Sequence, residues 1–115
     1  MNYIKQENIY FNKDVIADYV GLSVTECPGV VGMAMISLKD GIYKLLKKQS
    51  SGKGVEVNIE NNKLNLNVHI IILTGININE LIKELKEIII YTLKNNLGLE
   101  INELTIFIEG TKLID

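Results

Sequence analysis

Cys27 and His69 are the chain's single cysteine and single histidine, and each is a natural first candidate for chemistry. A nucleophilic cysteine needs a base or a positive field to hold it as thiolate. Cys27 lies in "ECPGVVGMAMI" (26–36), distant in sequence from His69, and no cysteine-enzyme signature surrounds it. It continues an apolar spacing on its N-terminal side, so the expected role is that of a small packed hydrophobe. His69 stands between Val68 and Ile70 and by alternation faces away from the core. A metal site there would need further histidines or cysteines at recognisable spacing, and the chain has none to add. Glu84 and Glu87 flank Lys83 and Lys86 on one polar helix face, an arrangement of solvated charges rather than an acid–base dyad. "GKG" (52–54) departs from a phosphate-binding loop, which places four residues between its first glycine and a Gly-Lys-Ser/Thr that opens a helix. It reads as a turn before a strand. No catalytic, cofactor-binding or metal-ligating set emerges, and the expected activity is non-enzymatic.

These residues must be held by elements that the hydropathy pattern outlines. "NIYF" (8–11) is a short strand candidate. Asn12 is placed to cap a helix over about 13–26, with Asp14 in the first turn, where negative charge suits the helix dipole. Ile16, Val20 and Val24, with Tyr19 and Cys27, recur at three- and four-residue steps, and Pro28-Gly29 stops the helix. "VVGMAMI" (30–36) is apolar and too short to classify. "LKDGIYKLLKKQ" (38–49) reads as a short amphipathic helix with Ile42, Leu45 and Leu46 inside and Lys44, Lys47 and Lys48 outside; "SSGKG" (50–54) is a loop. "VEVNIE" (55–60) alternates strictly, "NN" (61–62) suits a two-residue turn because asparagine tolerates positive φ, and "KLNLNVHIIIL" (63–73) continues the alternation. The pair is expected to be an antiparallel hairpin with Leu64, Leu66, Val68, Ile70 and Ile72 inward. Residues 76–98 form a long helix, capped by Asn77 or Asn79, with a stripe of Leu81, Ile82, Leu85, Ile88, Ile89 and Leu93 and a stop at Gly98. "ELTIFIE" (103–109) is a last strand with Leu104, Ile106 and Ile108 in and Thr105, Phe107 and Glu109 out. The expected fold is α+β, a two-layer sandwich in β-α-α-β-β-α-β order, with a small mainly antiparallel sheet and its helices on one face.

Within that order, "GVVG" (29–32) falls between two expected helices, where the Gly-x-x-Gly loop of a KH domain clamps single-stranded backbone. Gly29 and Gly32, with Lys44, Lys47, Lys48 and Lys53, form the corresponding nucleic-acid alternative. Both central residues are valine, so no basic side chain meets phosphate, and the neighbours are acidic or apolar. The plain reading is a turn at the end of a helix. The other candidate surface is the outward sheet face, where Ile71, Leu73 and Phe107 stand among polar Glu56, Asn58, Asn65 and Asn67. If the three adjoin, they make a patch for a protein partner or for a second copy of the chain.

Composition narrows the classes. The chain has 115 residues, 47% of them hydrophobic, and a formal charge of −2. One domain spanning 1–115 is expected, burying roughly 65% of the unfolded chain's surface. All 12 basic residues are lysine, so the arginine forks that favour phosphate and guanine are missing, and nucleic acid is not the expected partner. A lone cysteine suits a reducing compartment, so the expected location is cytoplasmic. The N-terminal residues carry no signal-type apolar run, and "HIIIL" and "IIIY" fall far short of the ~20 residues of a membrane helix.

Four segments in order carry a resemblance. "IYFNKDVIADYVGLSVTECPGVVGM", "KKQSSGKGVEVNI", "NLNVHIIILTGININELIKELKEIIIYTL" and "LGLEINELTIFIEG" together resemble the alkaline shock protein / general stress protein family of Gram-positive bacteria, from about residue 8 to residue 110. Cys27 stands where that family usually has an aliphatic or small residue. The strand "LNLNVHIII" carries asparagine where the family often has aspartate. The resemblance implies a cytoplasmic, non-enzymatic scaffold or adaptor linked to envelope stress or lipid-synthesis homeostasis. It also implies protein partners or self-association, with indirect membrane recruitment through an anchor protein. It supplies no catalytic residue and no cofactor, and its shared glycines, here Gly29, Gly54, Gly75 and Gly110, read as turn residues at element ends.

Overall fold

A computed structural model describes residues 1–37, 39 and 41–113. In chain order the elements are β1 (Tyr3–Gln6), β2 (Ile9–Asn12), α1 (Lys13–Thr25), β3 (Val30–Ile36), β4 (Tyr43–Leu45), a 3-10 segment (Lys48–Gly54), β5 (Val55–Glu60), β6 (Lys63–Leu73), α2 (Ile78–Leu97) and β7 (Ile101–Lys112). The architecture is mixed α+β, as the alternation and the two helical stripes require.

β6 organises the sheet. Asn61 and Asn62 take φ of 52° and 57°, the left-handed geometry of a two-residue hairpin turn, and set Val55 opposite Val68 and Glu60 opposite Lys63. Further along the same edge β3 replaces β5, with Val30 opposite Ile72 and Met33 opposite Ile70 and a bulge between Val30 and Gly32. The other edge of β6 pairs in parallel with β7 from Leu64–Ile101 to Leu73–Lys112. Parallel neighbours need a long crossover, and α2 supplies it.

Leu64, Leu66, Val68, Ile70 and Ile72 of β6 are buried beneath the helices. α1 contributes Ile16, Val20 and Val24; α2 contributes Leu81, Leu85, Ile89 and Leu93 at four-residue steps. All belong to one apolar cluster. Asn12 Oδ1 accepts from the Asp14 amide at 2.8 Å, and Asn77, not Asn79, caps α2 by accepting from the Glu80 amide at 3.1 Å. Gly98 ends α2 at φ 71°. β1 and β2 form a separate two-stranded sheet, anchored by Asn62, whose side chain exchanges hydrogen bonds with the Lys5 amide and carbonyl.

Two expectations are corrected. The segment 38–49 is not a helix: its described part holds β4, paired with β3 through Ala34–Leu45, Met35–Lys44 and Ile36–Tyr43, and the start of the 3-10 segment. Among the described residues the backbone pairs across the hairpin instead of along a helix, Leu46 N–H donating to Met33 O at 2.8 Å, and Gly41 turns the chain at φ 67°. Leu38 and Asp40 of that expected helix lie outside the described residues. The second correction concerns Tyr19, which is 40% exposed and lies off the buried stripe of α1.

Candidate functional site

The outer face of the sheet, away from the helices, holds a polar cluster centred on His69. His69 lies on β6 between two glutamates from the flanking strands. Its Nε2 is 2.6 Å from Glu56 Oε1 of β5, and its Nδ1 is 2.6 Å from Glu109 Oε2 of β7. Phe107, opposite His69 in register, stacks on the imidazole at 4.7 Å with the planes 14° apart. The pairing leaves Glu109 as the extra residue between Ile108, opposite Ile70, and Gly110, opposite Ile71; that irregularity places its carboxylate beside the ring. The His69 and Glu109 side chains are 13% and 19% exposed, whereas Glu56 is 61% exposed. Burial pushes the imidazole's pKa down, but hydrogen bonds to Glu56 and Glu109 and their negative fields outweigh it and hold the net value above 6.5. The sequence placed all three residues on the outward face; only the parallel pairing of β7 brings Glu109 to His69.

The expected apolar patch is rearranged. Ile71 is buried, only 5% exposed, because Gly32 pairs with it and, lacking a side chain, lets Leu45 fold over that position. A Cβ on Gly32 would lie 2.9 Å from Leu45 Cδ1. Leu73 is half-buried and Phe107 is 41% exposed. The apolar side chains that do face outward nearby belong to the hairpin the sequence misread: Met35, Ile42, Tyr43 and Leu45 are all exposed. The Tyr43 ring lies where a side chain on Gly110 would stand, so the start of β4 adjoins the end of β7. Gly110 is thus a close-approach residue inside a strand rather than a turn. Among the described residues, β7 pairs with β6 alone and leaves its other edge open over 12 residues.

Gly29 and Gly32 do not form a clamp loop. Gly29 closes the turn after α1 at φ 95°, and Gly32 already lies within β3, so no second helix follows to shape a KH-type loop. The four lysines of that alternative are dispersed in role. Lys44 of β4 pairs with Met35 of β3, Lys47 precedes the 3-10 segment, and Lys48 bonds Glu26 at 3.3 Å. Lys53 borders a cleft of about 590 Å³ that also contains Lys13, Asp14, Asp18 and Glu56. Acidic groups offset its charge there, which does not suit a polyanion.

Cys27 sits 3% exposed in the core, its thiol pKa raised by burial and by the charge of Glu84. This is the opposite of what a nucleophile needs. Among the described residues no group of three or more metal-ligating side chains is placed to hold an ion, and no helix is long and apolar enough to cross a membrane.

The model of the alkaline shock protein 23 family, described as having a cell envelope-related function, matches residues 2–113. The chain is 29% identical over 110 residues to the uncharacterized protein YloU of Bacillus subtilis, covering 95% of this chain and 92% of the relative. It is 35% identical over 107 residues to the uncharacterized protein Spy1614 of Streptococcus pyogenes, covering 92% and 88%. A third relative, the uncharacterized protein YqhY of Bacillus subtilis, is 30% identical over 84% of this chain and 71% of its own length. No solved structure matches the chain at a significant level.

Proposed function

Because the chain belongs to the alkaline shock protein 23 family, with its cell envelope-related function, we propose that it is a non-enzymatic scaffold or adaptor. It works by binding a protein partner or copies of itself. The observation that carries this reading is the open edge of β7, whose end at Gly110 is approached by exposed Tyr43 of β4, with Ile42 64% and Phe107 41% exposed. An unpaired strand edge offers a row of backbone donors and acceptors to an incoming strand, and the adjacent side chains supply apolar area and register. The setting is the cytoplasmic side of the envelope under stress or during adjustment of lipid synthesis, with recruitment to the membrane through an anchor protein.

The test is to compare the wild-type chain with Ile42→Glu and Phe107→Glu by sedimentation, and by capture from host lysate split into nuclease-treated and untreated halves. The expected result is an assembly or a defined nuclease-resistant protein partner that both variants lose at unchanged circular dichroism. Association that survives both substitutions at equal folding refutes the surface. Prey that vanish with nuclease while RNA co-purifies refute the adaptor reading, as does steep loss of binding with salt, the mark of several phosphate contacts.

A further inference from the structure

His69 bonds two carboxylates at once, and that is possible only when both ring nitrogens carry protons, since an ionised carboxylate accepts and cannot donate. The two arms differ in setting. Glu109 is 19% exposed and held on β7 beside Phe107; Glu56 is 61% exposed and has water as an alternative partner. A neutral imidazole keeps one N–H. Keeping it on Nδ1 preserves the sheltered bond to Glu109, where a lost hydrogen bond costs more. The lone pair then left on Nε2 faces Glu56 Oε1 at 2.6 Å, and that contact is repulsive.

The geometry points to a proton-operated clasp on the outer sheet face: protonated His69 ties Glu56 of β5 to Glu109 of β7, and loss of the Nε2 proton to solvent base frees Glu56 while the Glu109 bond stays. Opening makes the face more negative by one charge, immediately beside exposed Phe107, and frees a residue that also borders the cleft with Lys13 and Lys53. Among the described residues, the side chains in contact with the ring are those of Glu56, Glu109 and Phe107. β5 brings Glu56 and β7 brings Glu109 and the Phe107 ring. β6 itself brings Asn67 and Ile71 on either side. The Tyr43 phenol of β4 reaches Gly110, next to Glu109, and Lys53 of the 3-10 segment borders the cleft that Glu56 also lines. The charges that act on the imidazole are those of Glu56 and Glu109. This inference concerns the state of the sheet face and stands whether or not that face docks a partner.

The chain's single histidine makes the test direct: follow the imidazole ¹⁵N signals of the tag-free, full-length protein through a pH titration. The expected result is a midpoint above 6.5, a neutral ring protonated on Nδ1, and a Glu56 carboxylate ¹³C signal that moves with the same midpoint. Glu56→Gln and Glu109→Gln should each lower the midpoint. A midpoint at or below 6.5, or a neutral ring protonated on Nε2, overturns the proposal. So does a midpoint unmoved by both substitutions in variants whose amide spectra show the native fold.

Discussion

Gly21 lies inside α1, where alanine would ordinarily be the better helix former by about 0.8–1.0 kcal/mol. The tertiary structure reverses that expectation. α1 crosses the 3-10 segment so closely that a Cβ at position 21 would stand 2.7 Å from the Ser51 carbonyl carbon, 2.8 Å from Gly52 N and 2.8 Å from Ser51 O. Carbon contacts settle near ~3.5–4.0 Å, so backbone, not a flexible side-chain tip, must retreat by roughly 0.8 Å. Overpacking of this kind costs about 1–3 kcal/mol, which matches or outweighs the helix gain and leaves Gly21→Ala destabilised by about 0–2 kcal/mol. Gly21→Val, bulkier and β-branched, should lose about 3 kcal/mol or more. Urea unfolding reads this as a lower midpoint at unchanged slope, and thermal unfolding as a drop of about 3–6 °C per kcal/mol for a domain of this size. An alanine variant more stable than wild type, or a valine variant no worse than alanine, would show that α1 and the 3-10 segment do not meet as described.

Three further outcomes follow from particular residues. Asn77→Ala should cost about 1 kcal/mol in urea unfolding, the usual loss of an N-cap, while Asn79→Ala, inside the first turn of α2, should stay within about 0.5 kcal/mol of wild type; equal effects would refute the assigned cap. Cys27 should react with a thiol reagent only as fast as the protein opens, because the buried thiol has a raised pKa; labelling at the rate of a free thiol in native buffer would refute its burial. The folded pKa of His69 lies above its unfolded value of 6.5, so its stabilising contribution is complete below 6.5 and fades as pH rises through the folded pKa. Wild type should therefore lose stability relative to His69→Gln as pH rises from 6.5 through the folded pKa, and a constant difference would contradict the linkage.

Much of this was legible in the residues. Strict alternation over 55–60 and 63–73 with two asparagines between them specified the hairpin and its register, because side chains of period two have only one way to bury Leu64 through Ile72. The four-residue stripe of α2, the capping asparagine of α1 and the stop at Gly98 were equally local, set by helical geometry and by backbone donors that need nearby acceptors. The segment around Ile42 and Leu45 was not, because apolar residues three apart fit a helix as well as a hairpin whose partner strand supplies the hydrogen bonds. The lone histidine could be assigned to the outward face but not to a partner, since the pairing of β7 depends on how α2 returns the chain across the sheet. Composition and pattern thus determined the core-facing helices over about 13–26 and 76–98 and a sheet centred on residues 63–73, while the third helix they suggested over 38–49 did not form. Only the tertiary structure decided that Gly32 admits Leu45 over Ile71, that β7 lies parallel to β6 with an open edge, and that Glu56 and Glu109 meet on His69. Those contacts join residues 13 to 40 positions apart, and no local rule of spacing brings such residues together.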